Sequence, residues 1–176
     1  MHNLKWSLLS LLAVLVDQAS KLAIDSHMPL FQSIPVLPYF NLTYVHNTGA
    51  AFSFLSEAGG WQRWFFAGLA ALISMMIAVW LTRLQKHEVL LSVALSLILG
   101  GAIGNLIDRL AYGYVIDFLD VYVGSWHWPA FNVADSAITL GVALMLVESL
   151  SLLRRRLAEH PVRQKMLHSE LVRPQA

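Results

Sequence analysis

Residues 89–109 read VLLSVALSLILGGAIGNLIDR and set the architecture of this chain. The segment is apolar for most of its length and becomes polar only at its end, with Asn105, Asp108 and Arg109. A helix of about 20 apolar residues, rising about 1.5 Å per residue, crosses the hydrocarbon layer of a bilayer. We therefore predict that residues 89–107 span a membrane and carry a polar outer end.

The composition indicates that the rest of the chain is built in the same way. Of the 176 residues, 57% are hydrophobic and 13% are charged, which lies outside the usual balance of soluble proteins. Further apolar stretches of spanning length occur at 7–24, 64–82 and 134–153. We predict a mainly α membrane protein with four transmembrane helices in one domain, 1–157, followed by a solvated, partly disordered basic tail, 158–176.

The residue types that are missing exclude several kinds of catalytic and metal site. The chain has no cysteine, which excludes disulfides, thiol nucleophiles and thiolate metal sites. Its seven histidines show no HExxH or similar spacing of metal ligands. We therefore expect no metal ion. We also expect no other cofactor and no nucleic acid as a partner.

Positive residues predict how the chain crosses the membrane. Cytoplasmic loops of membrane proteins retain Lys and Arg. With four crossings, Arg63 and Arg109 fall on one side, and most of the other basic residues fall on the opposite side. These are Lys5, Arg83, Lys86, Arg154, Arg155, Arg156, Arg163, Lys165 and Arg173. We predict that both termini are cytoplasmic and that residues 25–63 and 108–133 lie on the outer face.

The two outer segments have the character of strands rather than of simple linkers. Residues 35–54 mix alternating apolar and polar positions with a turn-like Asn47-Thr48-Gly49. Residues 112–123, YGYVIDFLDVYV, are rich in β-branched and aromatic residues. The first segment predicts a small extracytoplasmic β-sheet that lies on the membrane. The second is expected either to pair with that sheet or to line the membrane surface.

Polar side chains from separate parts of the chain are expected at one depth. Counted at about 1.5 Å per residue, each of them lies in the outer half of its span or in the adjoining loop. They are Asp17, Lys21, Asn105, Asp108, Arg109, Asp117, Asn132 and Asp135. Ionisable groups inside a membrane are costly and are functional by default. Two neighbouring carboxylates, Asp117 and Asp135, indicate acid–base chemistry.

Several of these residues also have a structural interpretation. Asp17 and Lys21, at i and i+4, can form an intrahelical ion pair that lets the helix insert. Asp108 can balance a positive charge at the membrane interface. Arg109 can balance a negative charge there, or it can bind substrate. By spacing alone, Asp120 is as good a loop carboxylate as Asp117.

Gly100 and Gly104 form a small-xxx-small pair, which favours close helix packing. Tight packing there would press the polar end of the third span against the neighbouring spans. His46 and His127, in the outer segments, are interpreted as surface or hydrogen-bonded side chains rather than as catalytic bases.

Two alternative functions follow from the residues themselves. A small transporter or proton-conducting protein also places carboxylates in a membrane, but it needs a polar path through both leaflets, and the inner halves of the spans offer only Glu148. A Ser–Lys protease could use Ser20 and Lys21, but adjacent helical residues point about 100° apart and make a poor pair.

Five ordered blocks resemble the lipoprotein signal peptidases, also called signal peptidase II or prolipoprotein signal peptidases. The blocks are VDQASK at 16–21, NTGAAFSFL at 47–55, GGAIGNLIDR at 100–109, GYVIDFLD at 113–120 and FNVADSAITLG at 131–141. One block alone is a weak signal. Five in order, across four predicted spans, make the resemblance specific.

The resemblance implies an aspartic endopeptidase of the bacterial inner membrane with Asp117 and Asp135 as its catalytic pair, which favours Asp117 over Asp120. It also implies that Asp17 and Lys21 support the structure, as we expect for Asp108. The substrate site would be lined by Asn47, Asn105, Arg109 and Asn132.

The same resemblance implies the substrates. They would be prolipoproteins that carry a diacylglyceryl group on a cysteine, and cleavage would occur just before that cysteine, near the outer leaflet. A loop or helical segment over the site, supplied by residues 35–63, is a further implication. We expect a monomer whose other contacts are membrane lipids.

Overall fold

The computed structural model describes the backbone of residues 2–49 and 60–171. Over these ranges the chain forms four long helices and four strands. They are α1 (His2–His27), β1 (Ser33–Leu37), β2 (Phe40–Asn47), α2 (Trp61–Arg83), α3 (Val89–Ala111), β3 (Val115–Val123), β4 (Trp126–His127) and α4 (Val133–Leu171). Of residues 35–63, which we expected to supply a segment over the site, 50–59 lie outside the described residues.

All four helices are long and apolar enough to cross a membrane. The predicted class, a mainly α membrane protein with four spans and a small sheet, is confirmed. The helix α4 continues well past its apolar part, Val133–Arg154, and remains helical to Leu171. A partly disordered tail was expected after Arg156. Most residues there are strong helix formers, such as Leu, Ala, Glu, Arg, Gln and Lys, which favours the helix. Pro161 opposes it, because proline has no backbone N–H to donate.

The third helix is the centre of the bundle, since it packs against α1, α2 and α4. Glycines make the close approach feasible, as the small-xxx-small spacing predicted. A Cβ atom on Gly100 would lie 2.6 Å from the Cβ of Ala13 in α1, and one on Gly104 would lie 2.5 Å from Oδ2 of Asp17. Gly101 faces Ala134 of α4 in the same way. Both neighbouring helices therefore lie against the backbone of α3.

The strands form one antiparallel sheet in the order β1-β2-β3-β4. In the pairing of β2 with β3, Val45 lies opposite Asp117 and His46 lies opposite Ile116. Since side chains alternate between the faces of a strand, Ile116 points to one face and Asp117 to the other. The Ile116 face packs on the outer end of α1, in a cluster with Tyr44.

The pairing of β2 with β3 is one of the two arrangements expected for residues 112–123. The two-residue strand β4 was not predicted. It pairs with the last residues of β3, Tyr122 and Val123. After β4 the chain runs back along β3, and Phe131, two residues before α4, forms an isolated antiparallel bridge with Leu119.

Candidate active site

One cavity of about 850 Å³ lies between the sheet and the bundle. Asp117 of β3 and Asp135 of α4 both line it, so the structure brings together the two carboxylates that the sequence singled out. Asp117 is buried and Asp135 is partly buried. Asn47, Asn105 and Arg109, three of the four predicted substrate-binding residues, also line the cavity.

Most of the remaining wall of the cavity is apolar, although Ser136 and Thr139 also line it. It includes Trp128, Pro129, Ala130, Phe131, Ile138, Leu140 and Ala143. The last three lie on the first turns of α4, so the cavity follows this helix away from Asp135 toward its middle. Eight residues separate Asp135 from Ala143, which is about 12 Å along a helix. The site therefore joins a polar end to an apolar channel.

Two asparagines hold the carboxylate of Asp117. Nδ2 of Asn132 donates to Oδ1 at 2.7 Å, and Nδ2 of Asn47 donates to Oδ2 at 2.9 Å. Asn132 is fully buried and lies at the junction of the sheet and α4. Although it does not line the cavity, it is hydrogen-bonded to both of the aspartates that do.

Asp135 is held by the start of its own helix and by α3. Its Oδ1 accepts from Nδ2 of Asn105 at 2.8 Å. Its Oδ2 accepts from the backbone N–H of Asn132 at 3.2 Å, and its own N–H donates to Oδ1 of Asn132 at 2.9 Å. These reciprocal bonds form a capping box, in which Asn132 is the N-cap and Asp135 is the third residue of the helix.

Each of the three asparagines is oriented by an obligate donor. Oδ1 of Asn47 accepts from the N–H of Gly49 at 3.0 Å, and Oδ1 of Asn132 accepts from the N–H of Asp135. Oδ1 of Asn105 accepts from Nζ of Lys21 at 2.9 Å. Because a donor occupies each amide oxygen, the NH₂ group of each asparagine is directed to an aspartate.

The surroundings of Asp117 favour its protonated form. Burial raises the pKa of Asp117 from 3.8 to about 7, and the negative charge of Asp135 acts in the same direction. The hydrogen bonds from Asn47 and Asn132 and the positive charge of Lys21 partly oppose this rise. The carboxyl group of Asp117 can therefore carry a proton near neutral pH.

A buried ion-pair cluster lies directly behind the site. Nζ of Lys21 lies 2.8 Å from Oδ2 of Asp17 and 2.8 Å from Oδ2 of Asp108. The predicted pair at i and i+4 is thus present, and a third member from α3 joins it. Oδ1 of Asp17 accepts from the N–H of Ala134, and Oδ2 of Asp108 accepts from the N–H of Ile116. The cluster fixes α1 to α3, to the start of α4 and to β3.

Gln18 belongs to the same cluster, although no role was predicted for it from the sequence. Its Nε2 donates to Oδ1 of Asp108 at 2.9 Å and to the carbonyl of Gly104 at 3.2 Å. The available signal was a polar residue next to Asp17 within an apolar span. Its partners lie 86 and 90 residues away and could not be identified from local spacing.

Arg109 lines the cavity, and its guanidinium is hydrogen-bonded but not ion-paired within the described residues. Its guanidinium donates to the carbonyl oxygens of Gly49 at 3.0 Å and Asn105 at 3.2 Å, and it lies over the ring of Phe66. Among the described residues, no carboxylate forms an ion pair with it. An arginine has five N–H donors, so this side chain can bind further acceptors.

Asp120, the alternative to Asp117, lies on the opposite face of β3. Its carboxylate accepts from Nδ2 of Asn41 at 2.9 Å and contacts Nδ1 of His127 at 2.8 Å. Residues three apart on a strand point to opposite faces, so only one of these aspartates can face Asp135. His46 also points away from the cavity, with Nε2 2.9 Å from the hydroxyl of Tyr44.

Four spanning helices and a pair of carboxylates in one cavity define a multi-pass membrane protein with a candidate acid–base centre. The sequence model of the signal peptidase (SPase) II family matches residues 9–151. The chain belongs to this family of peptidases and is a multi-pass bacterial membrane protein.

Several curated relatives are highly similar over most of their length. The chain is 55% identical over 155 residues to the lipoprotein signal peptidase of Acinetobacter baumannii strain SDF, with 88% of each protein covered. It is 56% identical over 146 residues to the lipoprotein signal peptidase of Alteromonas mediterranea, with 83% of this chain and 80% of the relative covered. The protein of the same name from Cupriavidus taiwanensis is 53% identical over 152 residues, with 86% of each covered.

Two solved structures of bacterial membrane enzymes, both determined by the in meso method, share this fold. One, at 2.3 Å resolution, has a TM-score of 0.76 at 32% identity, covering 84% of this chain and 88% of the other. The second, at 1.9 Å resolution, has a TM-score of 0.72 at 33% identity, covering 83% and 92%. These similarities support the four-helix architecture and the small sheet.

Proposed function

We propose that this chain is an aspartic endopeptidase that removes signal peptides from diacylglyceryl-modified prolipoproteins. Cleavage would occur just before the lipid-modified cysteine, and Asp117 and Asp135 would be the catalytic pair. The observation that carries this proposal is that both aspartates line one cavity and that each is held by asparagine donors. The names of the curated relatives support the choice of substrate.

The chemistry follows from a pair that shares one proton. Two carboxyl groups close together do not both ionise easily, so they titrate as a coupled unit. In the proposed reaction, Asp135 accepts a proton from water, whose oxygen attacks the scissile carbonyl carbon. Asp117, in its protonated form, hydrogen-bonds the carbonyl oxygen and stabilises the tetrahedral oxyanion. A proton then passes to the amide nitrogen, the C–N bond breaks, and the amine leaves.

The hydrogen bonds of Asp117 are compatible with this role. Asn132 and Asn47 occupy one lone pair on each oxygen. Each carboxyl oxygen has a second lone-pair position. A proton placed there can be donated into the cavity without disturbing either asparagine.

The two ends of the cavity suit the two parts of the substrate. Arg109 and Asn47 offer hydrogen-bond donors to peptide carbonyls, and they are the proposed substrate-binding residues together with Asn105 and Asn132. The apolar wall along α4, from Ile138 to Ala143, suits a lipid chain or the apolar part of a signal peptide. Membrane lipids would surround the outward-facing side chains of the bundle.

Cleavage by the purified full-length protein in detergent tests this proposal. The assay uses a lipid-modified prolipoprotein, with the unlipidated precursor and a metal chelator as controls. The variants are Asp117→Asn and Asp135→Asn, with Asp120→Asn as a matched control on the other face of β3. We expect chelator-resistant cleavage of the lipidated form alone, retained in Asp120→Asn and reduced by at least about 100-fold in the other two, as for loss of an acid or base.

Other outcomes would contradict the proposal in different ways. Substantial cleavage by Asp117→Asn or Asp135→Asn would show that the catalytic pair is misassigned. No cleavage by folded wild-type protein would favour the transporter alternative, which solute or proton flux into sealed vesicles would then test.

We also propose that both termini are cytoplasmic in the inner membrane and that the site lies at the outer leaflet. In support, Lys5 and Arg83 are at the ends of α1 and α2 that lie away from the sheet. Because the chain lacks cysteine, single substitutions Tyr39→Cys and Lys86→Cys give a direct test. A membrane-impermeant thiol reagent added to intact spheroplasts would label position 39 and spare position 86, and the reverse pattern would invert the topology.

A further inference from the structure

We propose that Lys21 is a positioning residue for the catalytic pair, beyond its part in the buried ion-pair cluster. Its ammonium group fixes which end of the Asn105 amide faces Asp135, and it thereby determines that this aspartate receives a hydrogen-bond donor. The inference rests on the proposed function, because it assigns Asp135 a role that requires its charged form.

All three donors of Lys21 are engaged. Its side chain is 2% exposed, and Nζ contacts Asp17 and Asp108 at 2.8 Å each and Oδ1 of Asn105 at 2.9 Å. A lysine ammonium has three N–H donors and no acceptor. The contact with Asn105 can therefore be made only by the oxygen of that amide.

The orientation of Asn105 follows from this constraint. With Oδ1 directed to Lys21, Nδ2 points the other way and donates to Oδ1 of Asp135 at 2.8 Å. Rotating the amide by 180° would place its NH₂ group against the ammonium and its oxygen against the carboxylate. Both contacts would then be repulsive. Lys21 thus sets the direction of a hydrogen-bond chain that ends on Asp135.

Asn105 differs in this respect from the other two asparagines of the site. Backbone N–H groups of Gly49 and Asp135 orient Asn47 and Asn132, and no side-chain substitution removes them. Two side chains orient Asn105: Nζ of Lys21 donates to its Oδ1 at 2.9 Å, and Nδ2 of Asn132 donates to the same oxygen at 3.2 Å. The contact with Lys21 is the shorter one and the one that carries charge. The orientation of Asn105 therefore depends mainly on this replaceable side chain of α1.

Loss of Lys21 would act on both aspartates. Asn105 could turn its oxygen to Asp135, which would then have to carry a proton to make a hydrogen bond, and the base would be lost. Asp117 faces Asp135 on α4, Lys21 on α1 and Arg109 on α3. Removing the nearby positive charge of Lys21 would raise the pKa of Asp117 further.

The single variant Lys21→Met leaves two buried carboxylates without their cation, and we expect it to misfold. The double variant Asp17→Asn/Lys21→Met keeps the cluster at the wild-type charge, one carboxylate in excess of the cations, because it removes one of each. The amide introduced by Asp17→Asn still offers an oxygen to the N–H of Ala134. Asp17→Asn alone is the matched control, since it keeps Lys21 and the orientation of Asn105.

Three readouts compare the double variant with Asp17→Asn in detergent: melting temperature, the pH profile of kcat and KM, and the infrared band of protonated carboxyl groups at neutral pH. We expect the double variant to fold but to melt at a lower temperature than Asp17→Asn, because Asp108 loses its cation. Its kcat is expected to be lower by about 100-fold with little change in KM, the lower end of what a general base contributes. The remaining activity is expected to have a pH profile displaced to higher pH. The double variant is expected to show an additional protonated carboxyl band, absent when Asp135 is also replaced by Asn.

Two results would overturn the inference. A folded double variant with the kcat and the pH profile of Asp17→Asn would show that Lys21 serves stability alone. An unchanged carboxyl band would show that Asp135 keeps its donor without Lys21. The infrared measurement needs no substrate, so it tests the role of Lys21 even if the wild-type protein fails to cleave prolipoproteins.

Discussion

Asn132 and Asp135 cap each other at the start of α4: the N–H of Asp135 donates to Oδ1 of Asn132 at 2.9 Å, and the N–H of Asn132 donates to Oδ2 of Asp135 at 3.2 Å. The same two side chains take part in the candidate active site, because Nδ2 of Asn132 also donates to Asp117. The bonds that begin the helix therefore also orient Asp135, one member of the proposed catalytic pair. The donor to Asp117, Nδ2 of Asn132, takes no part in the cap.

Substitution at Asn132 can separate these two contributions. Serine is a good N-cap but has no NH₂ group for Asp117. We expect Asn132→Ser to keep most of the thermal stability and to lose cleavage. Asn132→Ala is expected to lose both, with about 0.5–2 kcal/mol of stability from the missing cap. Melting temperature and cleavage rate of both variants check this, and equal melting temperatures for the two would argue against the cap.

The pH dependence of cleavage offers a second prediction. Asp117, with a pKa of about 7, is proposed to be active when protonated, so kcat is expected to fall as the pH rises above about 7. The hydrogen bond from Asn47 stabilises the charged form and lowers this pKa. We expect Asn47→Ala to raise the pKa and to move the alkaline limb of the profile to higher pH.

Asn41 provides the control for this measurement. It makes an equivalent bond from β2 to β3, with Nδ2 2.9 Å from Oδ2 of Asp120, on the other face of the sheet. The alkaline limb of Asn41→Ala is expected to match that of the wild type. A shift toward lower pH in Asn47→Ala would mean that Asp117 is not the proton donor.

Periodicity and composition predicted the fold well, because a membrane span has a simple requirement for length and apolarity. The predicted span at 89–107 lies within α3, Val89–Ala111, and the strand-like segments contain β2 and β3. Local patterns could not predict contacts between distant parts of the chain. The pair of Asp17 with Lys21 was visible at i and i+4, whereas the partners Asn105 and Asp108 lie 84 and 87 positions beyond Lys21.

The choice between Asp117 and Asp120 shows the same limit. Alternation along a strand puts them on opposite faces, but it does not say which face meets α4. Only the packing of Ile116 and Phe118 on α1 decides this, since it leaves Asp117 toward the cavity. At the sequence level, the resemblance of five blocks to a known family supplied what spacing left open.

Gly104 and Gly68 allow a matched test of helix packing. A Cβ on Gly104 would lie 2.5 Å from Oδ2 and 3.1 Å from Cγ of Asp17, which is held in the ion-pair cluster and cannot easily move. A Cβ on Gly68 of α2 would have nothing within 4 Å. We expect Gly104→Ala to lower the melting temperature, and Gly68→Ala to leave it unchanged or raise it, since Ala favours a helix by about 0.5–1 kcal/mol.

Asp17 is expected to contribute to the stability of the fold rather than directly to the chemistry. Asp17→Ala removes the ion pair with Lys21 and the acceptor for the N–H of Ala134. Breaking a buried pair from one side costs about 3–5 kcal/mol, so we expect little folded protein. Asp17→Asn keeps the acceptor, and Ser149→Ala, at an exposed position of α4, serves as a neutral control. Normal yield and melting temperature for Asp17→Ala, with cleavage lost, would instead assign Asp17 to the chemistry.

Arg109 is predicted to bind substrate rather than to stabilise the bundle, because among the described residues its guanidinium contacts two backbone carbonyls and the ring of Phe66 but pairs with no carboxylate. A hydrogen bond to a charged group contributes about 1.5–3 kcal/mol, so we expect Arg109→Gln to raise KM by about 10- to 100-fold. Arg63→Gln is the comparison, because Arg63 donates to the carbonyls of Arg109 and Leu110 at the end of α3 and does not line the cavity. That change is expected to lower the melting temperature and to affect KM less. If Arg109→Gln lowered only the melting temperature, its role would be to satisfy charge at the membrane interface.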